Sequence, residues 1–203
     1  MSAGPDLSFL LSLRKSDPTP LALSDYARLA AKFGCEVEVL KAVAEVESGR
    51  FGAFGSDGRP IIAYERHRFH HYTEGRFGID AEISNPSRGN WTTDQGAYWD
   101  RLARAYALDA EAALKSVSWG RFQLMGENFD GCGYADVREY VRDLSTSELK
   151  QFEGFEKFIE MKHLEDELRA KNWDRIAHHY NGPANVREYS ERMRTAYAAL
   201  SRA

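Results

Sequence analysis

The chain has 203 residues, a length that accommodates one globular domain and buries enough surface to form a core without disulfide bonds. Its formal net charge of −4 argues against a nucleic-acid-binding protein, because such proteins usually carry a basic excess that neutralises phosphates. Two cysteines, Cys35 and Cys132, are too few for a disulfide framework and are predicted to be reduced thiols. No stretch approaches the roughly 20 apolar residues that span a membrane, so no membrane association is expected.

The N-terminal residues 1–20 contain three prolines and no sustained periodicity, so they are predicted to form an arm with one short helical turn. Residues 21–203 are predicted to form the folded domain. The apolar run from Leu7 to Leu13 follows no basic segment and precedes no convincing cleavage site. The sequence therefore predicts synthesis in the cytoplasm without a signal peptide, and any action outside the cell requires a separate route of release.

Most of the remaining chain has a helical pattern. Serine N-caps are predicted at Ser24 and at Ser145, where Ser145-x-x-Glu148 has the spacing of a capping box. Gly34 and Gly49 are predicted helix stops. The predicted helices are Ser24 to Lys32, about Glu36 to Ser48, Gln95 to Ala107, Ser145 to about Ala170, Trp173 to Tyr180, and Val186 to Leu200.

One segment departs from this pattern. Residues 51–64 are rich in glycine, and Asp57-Gly58 is a hairpin-turn signal that precedes the β-prone pair Ile61-Ile62. The segment is therefore predicted to form a small β-hairpin directly after the second helix. Residues 83–90, with a proline and a glycine among polar residues, are predicted to form a loop.

Glu47 is the first candidate for a catalytic residue. At about 100° of rotation per residue, Glu47 projects about 20° from Leu40 and about 40° from Val43, so it continues the apolar stripe of its helix. Glu45 projects to the opposite, polar side. Burial and the negative end of the helix dipole both raise the pKa of a carboxyl group in this position. A helix-end glutamate bonded to solvent or to a lysine remains the structural alternative.

Four sequence blocks resemble, in order, the N-acetylmuramidase family of phage endolysins within the lysozyme superfamily. They are Glu47-Ser48-Gly49 with the glycine-rich segment that follows, residues 62–67 (IAYERH), residues 116–126 (SVSWGRFQLMG) and residues 180–183 (YNGP). Tyr64 stands where that family usually has phenylalanine. The resemblance extends from about Ser24 to Leu200, and it implies a mainly α, lysozyme-like fold with a helical lobe, a small β-hairpin lobe and a cleft between them.

The resemblance also implies site residues and a substrate. Glu47 matches the catalytic glutamate, and the expected substrate is bacterial peptidoglycan, cleaved without a cofactor by a monomer. Gln123 is expected to direct its amide towards an N-acetyl group or the reacting water. Ser118 in the same block, and Tyr180 and Asn181 at the far wall, are the other expected substrate-binding residues. Trp119 and Phe122 flank Gly120, which suits either contact with a sugar face or packing in the core.

The second carboxylate is left open between Glu65 and Asp57. Glu65 is favoured because a position beyond the hairpin tip folds back towards the cleft, whereas Asp57 is more typical of a turn residue. Either group could stabilise an oxocarbenium ion or activate water. Glu65 could also have a structural role, as an anchor for Arg66, His67 or a helix N-terminus.

Three alternatives to a hydrolase acting through Glu47 are a lytic transglycosylase, a non-catalytic wall-binding module and a zinc peptidase. The zinc reading rests on His67, His70 and His71, which lie near Glu65. The sequence contains no HExxH motif and no clear remote ligand, so no metal site is predicted. A phage or prophage lysin is the expected biological role, and an injected antibacterial toxin would have a similar sequence.

Overall fold

The computed structural model describes residues 6–49 and 52–202, and within them the chain is mainly α-helical with one small antiparallel sheet. This confirms the predicted fold class. The three strands are β1 (Ile62–Tyr64), β2 (Val117–Trp119) and β3 (Leu124–Met125). The α-helices are α1 (Ser8–Ser12), α2 (Leu23–Phe33), α3 (Val37–Ser48), α4 (Arg66–Tyr72), α5 (Gln95–Leu108), α6 (Ala110–Lys115), α7 (Val137–Leu144), α8 (Glu148–Lys162), α9 (Glu165–Ala170), α10 (Trp173–Asn181) and α11 (Val186–Leu200).

The sequence located α3, α5, α10 and α11 correctly, to within one residue at each end. The predicted N-cap of α2 was wrong, because Ala22 and not Ser24 precedes its first turn. The carboxylate of Asp25 accepts a hydrogen bond from the Ala22 N–H at 2.8 Å, and this moves the helix start two residues earlier. Gly34 ends α2 in the left-handed conformation, as predicted.

The helix predicted from Ser145 to Ala170 is in fact two helices with a different cap. Ser147 is the N-cap of α8, and its hydroxyl accepts a hydrogen bond from the Lys150 N–H at 3.1 Å. Ser145 instead donates its hydroxyl proton to the Val141 carbonyl at the end of α7. His163 adopts a left-handed conformation with φ of 53°, which ends α8 before α9 begins.

The sheet pairs strands that are distant in sequence. Ile62 lies opposite Trp119 in the β1–β2 pair, and Trp119 lies opposite Leu124 in the β2–β3 pair. The predicted hairpin is present as a short one within the described residues, while Phe51 lies outside them. Phe54 and Pro60 form an antiparallel bridge, Gly55 N–H donates to the Arg59 carbonyl at 2.8 Å, and Ile61 N–H donates to the Ala53 carbonyl at 3.1 Å. After Ile61 the chain continues into β1, whose partner is β2.

Trp119 and Phe122 belong to the core and not to a sugar-binding surface. Both side chains are fully buried, and the Phe122 ring stacks on Phe155 with a centroid separation of 4.5 Å. Gly120 between them is required for packing. Its φ is 68°, and a Cβ atom there would lie 2.3 Å from the Cδ atom of the buried Gln151.

Three helices form one wall of the molecule. The α3 helix packs against α11, and α11 packs in turn against α10. The N-terminal segment contributes Leu10 and Leu13 to the same core, while the division of the chain at residue 20 stays a prediction. Cys35 and Cys132 are free thiols, as predicted. Among the helices of residues 6–49 and 52–202, none is sufficiently long and apolar to cross a membrane.

Candidate active site

A cleft of about 570 Å³ runs between the helical wall and the sheet, a volume typical of ligand-binding sites. The ends of α3 and α10 and the start of α11 form one side, and β1 with the β2–β3 hairpin forms the other. All six residues that the sequence predicts as site residues line this cleft: Glu47, Glu65, Ser118, Gln123, Tyr180 and Asn181. They come from four separate parts of the chain, and the fold brings them together.

Glu47 lies in the last turn of α3, next to the buried Val46, and its side chain keeps some exposed surface only where it opens on the cleft. Protein surrounds the carboxyl group elsewhere, and this burial raises its pKa to about 7. A hydrogen bond of 3.2 Å from Asn181 Nδ2 to Glu47 Oε1 and the charge of Arg192 act in the opposite direction. A substantial fraction of Glu47 is therefore protonated near neutral pH, as a general acid must be.

Glu65 lies at the junction of β1 and α4, with its side chain 21% exposed. Burial raises its pKa above the ordinary value, although the nearby Arg68 and Arg88 partly oppose this. Its surroundings differ from those of Glu47, because charged groups lie on several sides and no amide of the described part of the chain donates to its carboxylate. Glu65 makes no side-chain hydrogen bond to the N-terminus of α4, so that structural alternative is not realised.

His67 is a polar neighbour of Glu65, with its Nε2 atom 3.4 Å from Glu65 Oε2. Burial and the nearby arginines lower the pKa of His67 to about 4, so the imidazole is neutral near neutral pH and this contact is no ion pair there. Arg66 is not anchored by Glu65, because its side chain binds the carbonyl groups of Ala81 and Ser87.

Asp57 lies outside the cleft lining, in the turn before β1. Partial burial raises its pKa somewhat, but hydrogen bonds from the backbone and side chain of Arg59 outweigh this and lower the pKa below the ordinary value. Asp57 thus has the contacts of a turn residue, and Glu65 is the candidate second carboxylate that faces Glu47 across the cleft.

Ser118 and Gln123 form a short hydrogen-bonded chain on the sheet side. The Ser118 hydroxyl donates to Gln123 Oε1 at 2.8 Å, and Gln123 Nε2 donates to the Gly120 carbonyl at 2.8 Å. The amide of Gln123 is therefore fixed, with its second N–H left for another acceptor. Ser118 is only 6% exposed, so its main contact is with Gln123.

Tyr180 packs its ring against Phe158, at a centroid separation of 4.8 Å. Its hydroxyl group is buried and makes no hydrogen bond to any described residue. A buried hydroxyl without a partner is unfavourable, so Tyr180 places an unsatisfied polar group in the wall of the cleft. Asn181, the next residue, already uses its amide to bind Glu47.

The cleft-lining residues that were not predicted from sequence include Arg88, Trp91 and Tyr189. Arg88 and Trp91 lie in or just after residues 83–90, which the sequence identified only as a loop. An arginine and a tryptophan in a short polar segment are a sequence signal that could have identified this loop as part of the site. Tyr189 gave no such signal, because its position on α11 becomes part of the site only when α11 packs on α3.

The histidines do not form a metal site in the part of the chain that the structure describes. No three side chains of His, Cys, Asp or Glu converge there in a way that could hold a metal ion. His70 instead contacts the Ser84 hydroxyl at 3.2 Å through Nδ1. The candidate site combines the carboxyl groups of Glu47 and Glu65 with amides and hydroxyls, and Glu127 and Glu188 also line the cleft.

A cleft with a partly protonated carboxylic acid on one side and a second carboxyl group on the other is the arrangement of a glycoside hydrolase. The comparison with protein families agrees. The model of the N-acetylmuramidase family matches residues 36–201, and the chain belongs to this family of peptidoglycan hydrolases.

A solved structure supports the same assignment. The crystal structure of Burkholderia AP3 phage endolysin is 34% identical in sequence and superimposes with a TM-score of 0.78. The match covers 96% of this chain and 75% of that one. No curated protein matches the chain.

Proposed function

We propose that the protein hydrolyses the β-1,4 bond between N-acetylmuramic acid and N-acetylglucosamine in peptidoglycan glycan strands. The observation that carries this proposal is Glu47, a cleft-facing carboxylic acid whose pKa burial raises to about 7. A sugar alkoxide is a poor leaving group until its oxygen receives a proton. An acid that is still protonated near neutral pH supplies that proton.

In the proposed reaction, Glu47 gives its proton to the glycosidic oxygen while the bond from that oxygen to the sugar C1 breaks. Positive charge then develops on C1 and the ring oxygen. Glu65, in its ionised form, is the second carboxylate that faces this charge, and water finally supplies the new hydroxyl group at C1. The carboxyl group of Glu47 is buried and that of Glu65 lies among charged side chains, and these different surroundings suit a protonated acid and an ionised carboxylate.

The remaining predicted residues are proposed to orient substrate and water. Gln123, held by Ser118, has one free N–H for an N-acetyl carbonyl or the reacting water. The unpartnered hydroxyl of Tyr180 can bind a sugar oxygen. Asn181 holds the Glu47 carboxyl group in place through its amide. The proposal further includes action as a monomer, after release during phage or prophage lysis or by injection.

The test is a product spectrum from purified peptidoglycan, obtained by mass spectrometry with the unsubstituted protein and with Glu47→Gln. We expect reducing muramic acid ends from the former and a loss of activity of about 10²–10⁴-fold in the latter, the usual contribution of a general acid. Glu45→Gln is the matched control, because Glu45 is exposed on the outer side of the same helix.

Two outcomes would contradict the proposal. Products with 1,6-anhydro ends would identify a lytic transglycosylase, in which the hydroxyl of the sugar itself replaces water. Unchanged clearing of peptidoglycan by Glu47→Gln would remove Glu47 from the mechanism. Retained binding to peptidoglycan by that variant, measured by co-sedimentation, separates loss of chemistry from loss of folding.

A further inference from the structure

Arg88 is a cation in the cleft that has no partner among the residues that the structure describes. Its side chain makes no hydrogen bond and no ion pair with any residue in the ranges 6–49 and 52–202, although it is one of the cleft-lining residues. Its positive charge nevertheless lowers the pKa of Glu65, so the two groups are near each other without direct contact. A guanidinium group with five N–H donors and no protein acceptor is available to bind a ligand.

The position of Arg88 is central to the cleft. A Cβ atom built on Gly182 would lie 3.8 Å from Nη2 of Arg88, so the guanidinium of this loop residue reaches the turn that follows α10. Gly182 directly follows Asn181, which binds Glu47. Arg88 therefore lies between the wall that carries Glu47 and the wall that carries Glu65, close to where the scissile bond is proposed to lie.

The backbone around Arg88 is held in place on both sides. The Ser87 carbonyl accepts a hydrogen bond from Arg66 Nε at 3.2 Å. On the other side, the Asn90 carbonyl accepts one from Arg101 Nη1 at 2.9 Å, and the Thr92 N–H donates to the Tyr98 hydroxyl. The loop is thus prearranged while the Arg88 side chain is free, the combination expected of a residue that recognises a ligand.

We propose that Arg88 binds a carboxylate of the muramyl unit and so makes the cleft selective for peptidoglycan over neutral polymers of N-acetylglucosamine. The inference rests on the proposed function. Muramic acid differs from glucosamine by its lactyl group. In strands without stem peptides the lactyl carboxyl is free. In intact strands it is amide-linked to a stem peptide, which has carboxylates of its own. A guanidinium binds either carboxylate through two parallel N–H···O bonds.

Trp91 completes this recognition loop and supplies the control. Its indole is 57% exposed and lines the same cleft, which suits stacking on the apolar face of a sugar ring. Every sugar of the strand has such a face, whereas only the muramyl unit adds a carboxylate. Trp91 therefore contributes affinity for any of these polymers, and Arg88 contributes the preference for an acidic one.

The experiment measures dissociation constants by calorimetry in the Glu47→Gln background, so that no ligand is consumed. The ligands are peptide-stripped glycan strands with free lactyl carboxylates, the same strands after conversion of those carboxyls to amides, and soluble strands that retain stem peptides. We expect Arg88→Gln to weaken binding of the stripped strands about tenfold, the value of a charge-assisted pair, and to leave the amidated strands unaffected. Arg88→Lys recovers only part of the loss.

The outcomes are separable. If Arg88→Gln weakens binding of the stripped strands alone, the group that Arg88 binds is the lactyl carboxylate. If the substitution also weakens binding of the peptide-bearing strands, Arg88 binds a carboxylate of the stem peptide. Trp91→Ala weakens binding of all three ligands to a similar degree. Equal losses for all ligands with Arg88→Gln, or no loss for any, would overturn carboxylate recognition. If the unsubstituted protein fails to cleave peptidoglycan while this selectivity persists, the proposed hydrolysis fails and the present inference stands.

Discussion

Glu47 and Glu65 line the same cleft, but their surroundings are of different kinds. Glu47 ends a helix among apolar groups, and a neutral amide is its one hydrogen-bond partner among the described residues. Glu65 stands at a strand–helix junction with Arg68, Arg88 and Glu127 around it. Burial raises both pKa values, and cations oppose this at both sites, Arg192 near Glu47 and Arg68 with Arg88 near Glu65. Different surroundings of this kind are how one fold can give two carboxyl groups different pKa values.

The largest expected effect is on the pH dependence of catalysis. Since Glu47 must be protonated, the rate should fall as pH rises through its pKa of about 7. Since Glu65 must be ionised, the rate should also fall as pH drops through its pKa, which is raised above the ordinary 4.5. Glu65→Gln should lower the rate about 10–10²-fold and abolish the fall in rate at low pH, which is the acid limb of the profile. Glu47→Gln should remove nearly all activity.

The measurement is kcat/KM against pH on solubilised peptidoglycan, with Glu45→Gln as a control that should keep both limbs. Full activity and an intact acid limb in Glu65→Gln would exclude Glu65 from the reaction, and the mechanism would then need Glu47 alone.

The second effect is on stability. The Glu47 pKa is about 7 in the folded protein against 4.5 for the unperturbed group. The protonated group therefore stabilises the fold fully below about pH 4.5, and this contribution is lost as pH rises through 7. Glu47→Gln should then raise the free energy of unfolding by about 1–3 kcal/mol at about pH 8 and by almost nothing at about pH 4.

Urea unfolding at these two pH values checks the prediction. Glu65→Gln is the matched comparison, and it should stabilise the protein less at the higher pH, because Arg68 and Arg88 already stabilise the Glu65 carboxylate. An equal increase in the free energy of unfolding of both variants at the higher pH would mean that the two carboxyl groups are not as different as their contacts indicate. A gain for Glu47→Gln at low pH as well would assign the effect to packing instead of charge.

The contrast between the two carboxyl groups also shows what sequence can predict. Helical periodicity placed Glu47 on the apolar stripe beside Leu40, because that relation is local to α3. The β1–β2 pairing was missed, because strands of three residues have too little periodicity to identify partners that lie 55 positions apart, as Ala63 and Ser118 do. Sequence therefore predicted Glu65 through its match to a family block and its place beyond the hairpin tip. The charged side chains around Glu65 could be identified only from the fold.

The same limit applies to glycine and to loops. The sequence left the segment around Gly120 open between contact with a sugar face and packing in the core, because the left-handed φ of Gly120 and its contact with Gln151 are consequences of tertiary packing. The role of residues 83–90 depends on Arg88 reaching Gly182, a contact across the cleft that no local pattern encodes. In this protein, the sequence indicated the helix that supplies the acid more reliably than the loops that surround the substrate.

The smallest expected effect concerns the hydrogen bond that Glu47 accepts from Asn181. The Asn181 amide favours the charged form of Glu47, so Asn181→Ala should raise the Glu47 pKa and move the alkaline limb to higher pH by a fraction of a unit. The rate at the optimum should fall a fewfold, because the carboxyl loses its orientation. Asn128→Ala is the matched control, since Asn128 also lines the cleft but makes no hydrogen bond to Glu47. A shift of the alkaline limb to lower pH in Asn181→Ala would show that this amide favours the protonated acid, and the assignment of roles to the two carboxyl groups would lose one of its supports.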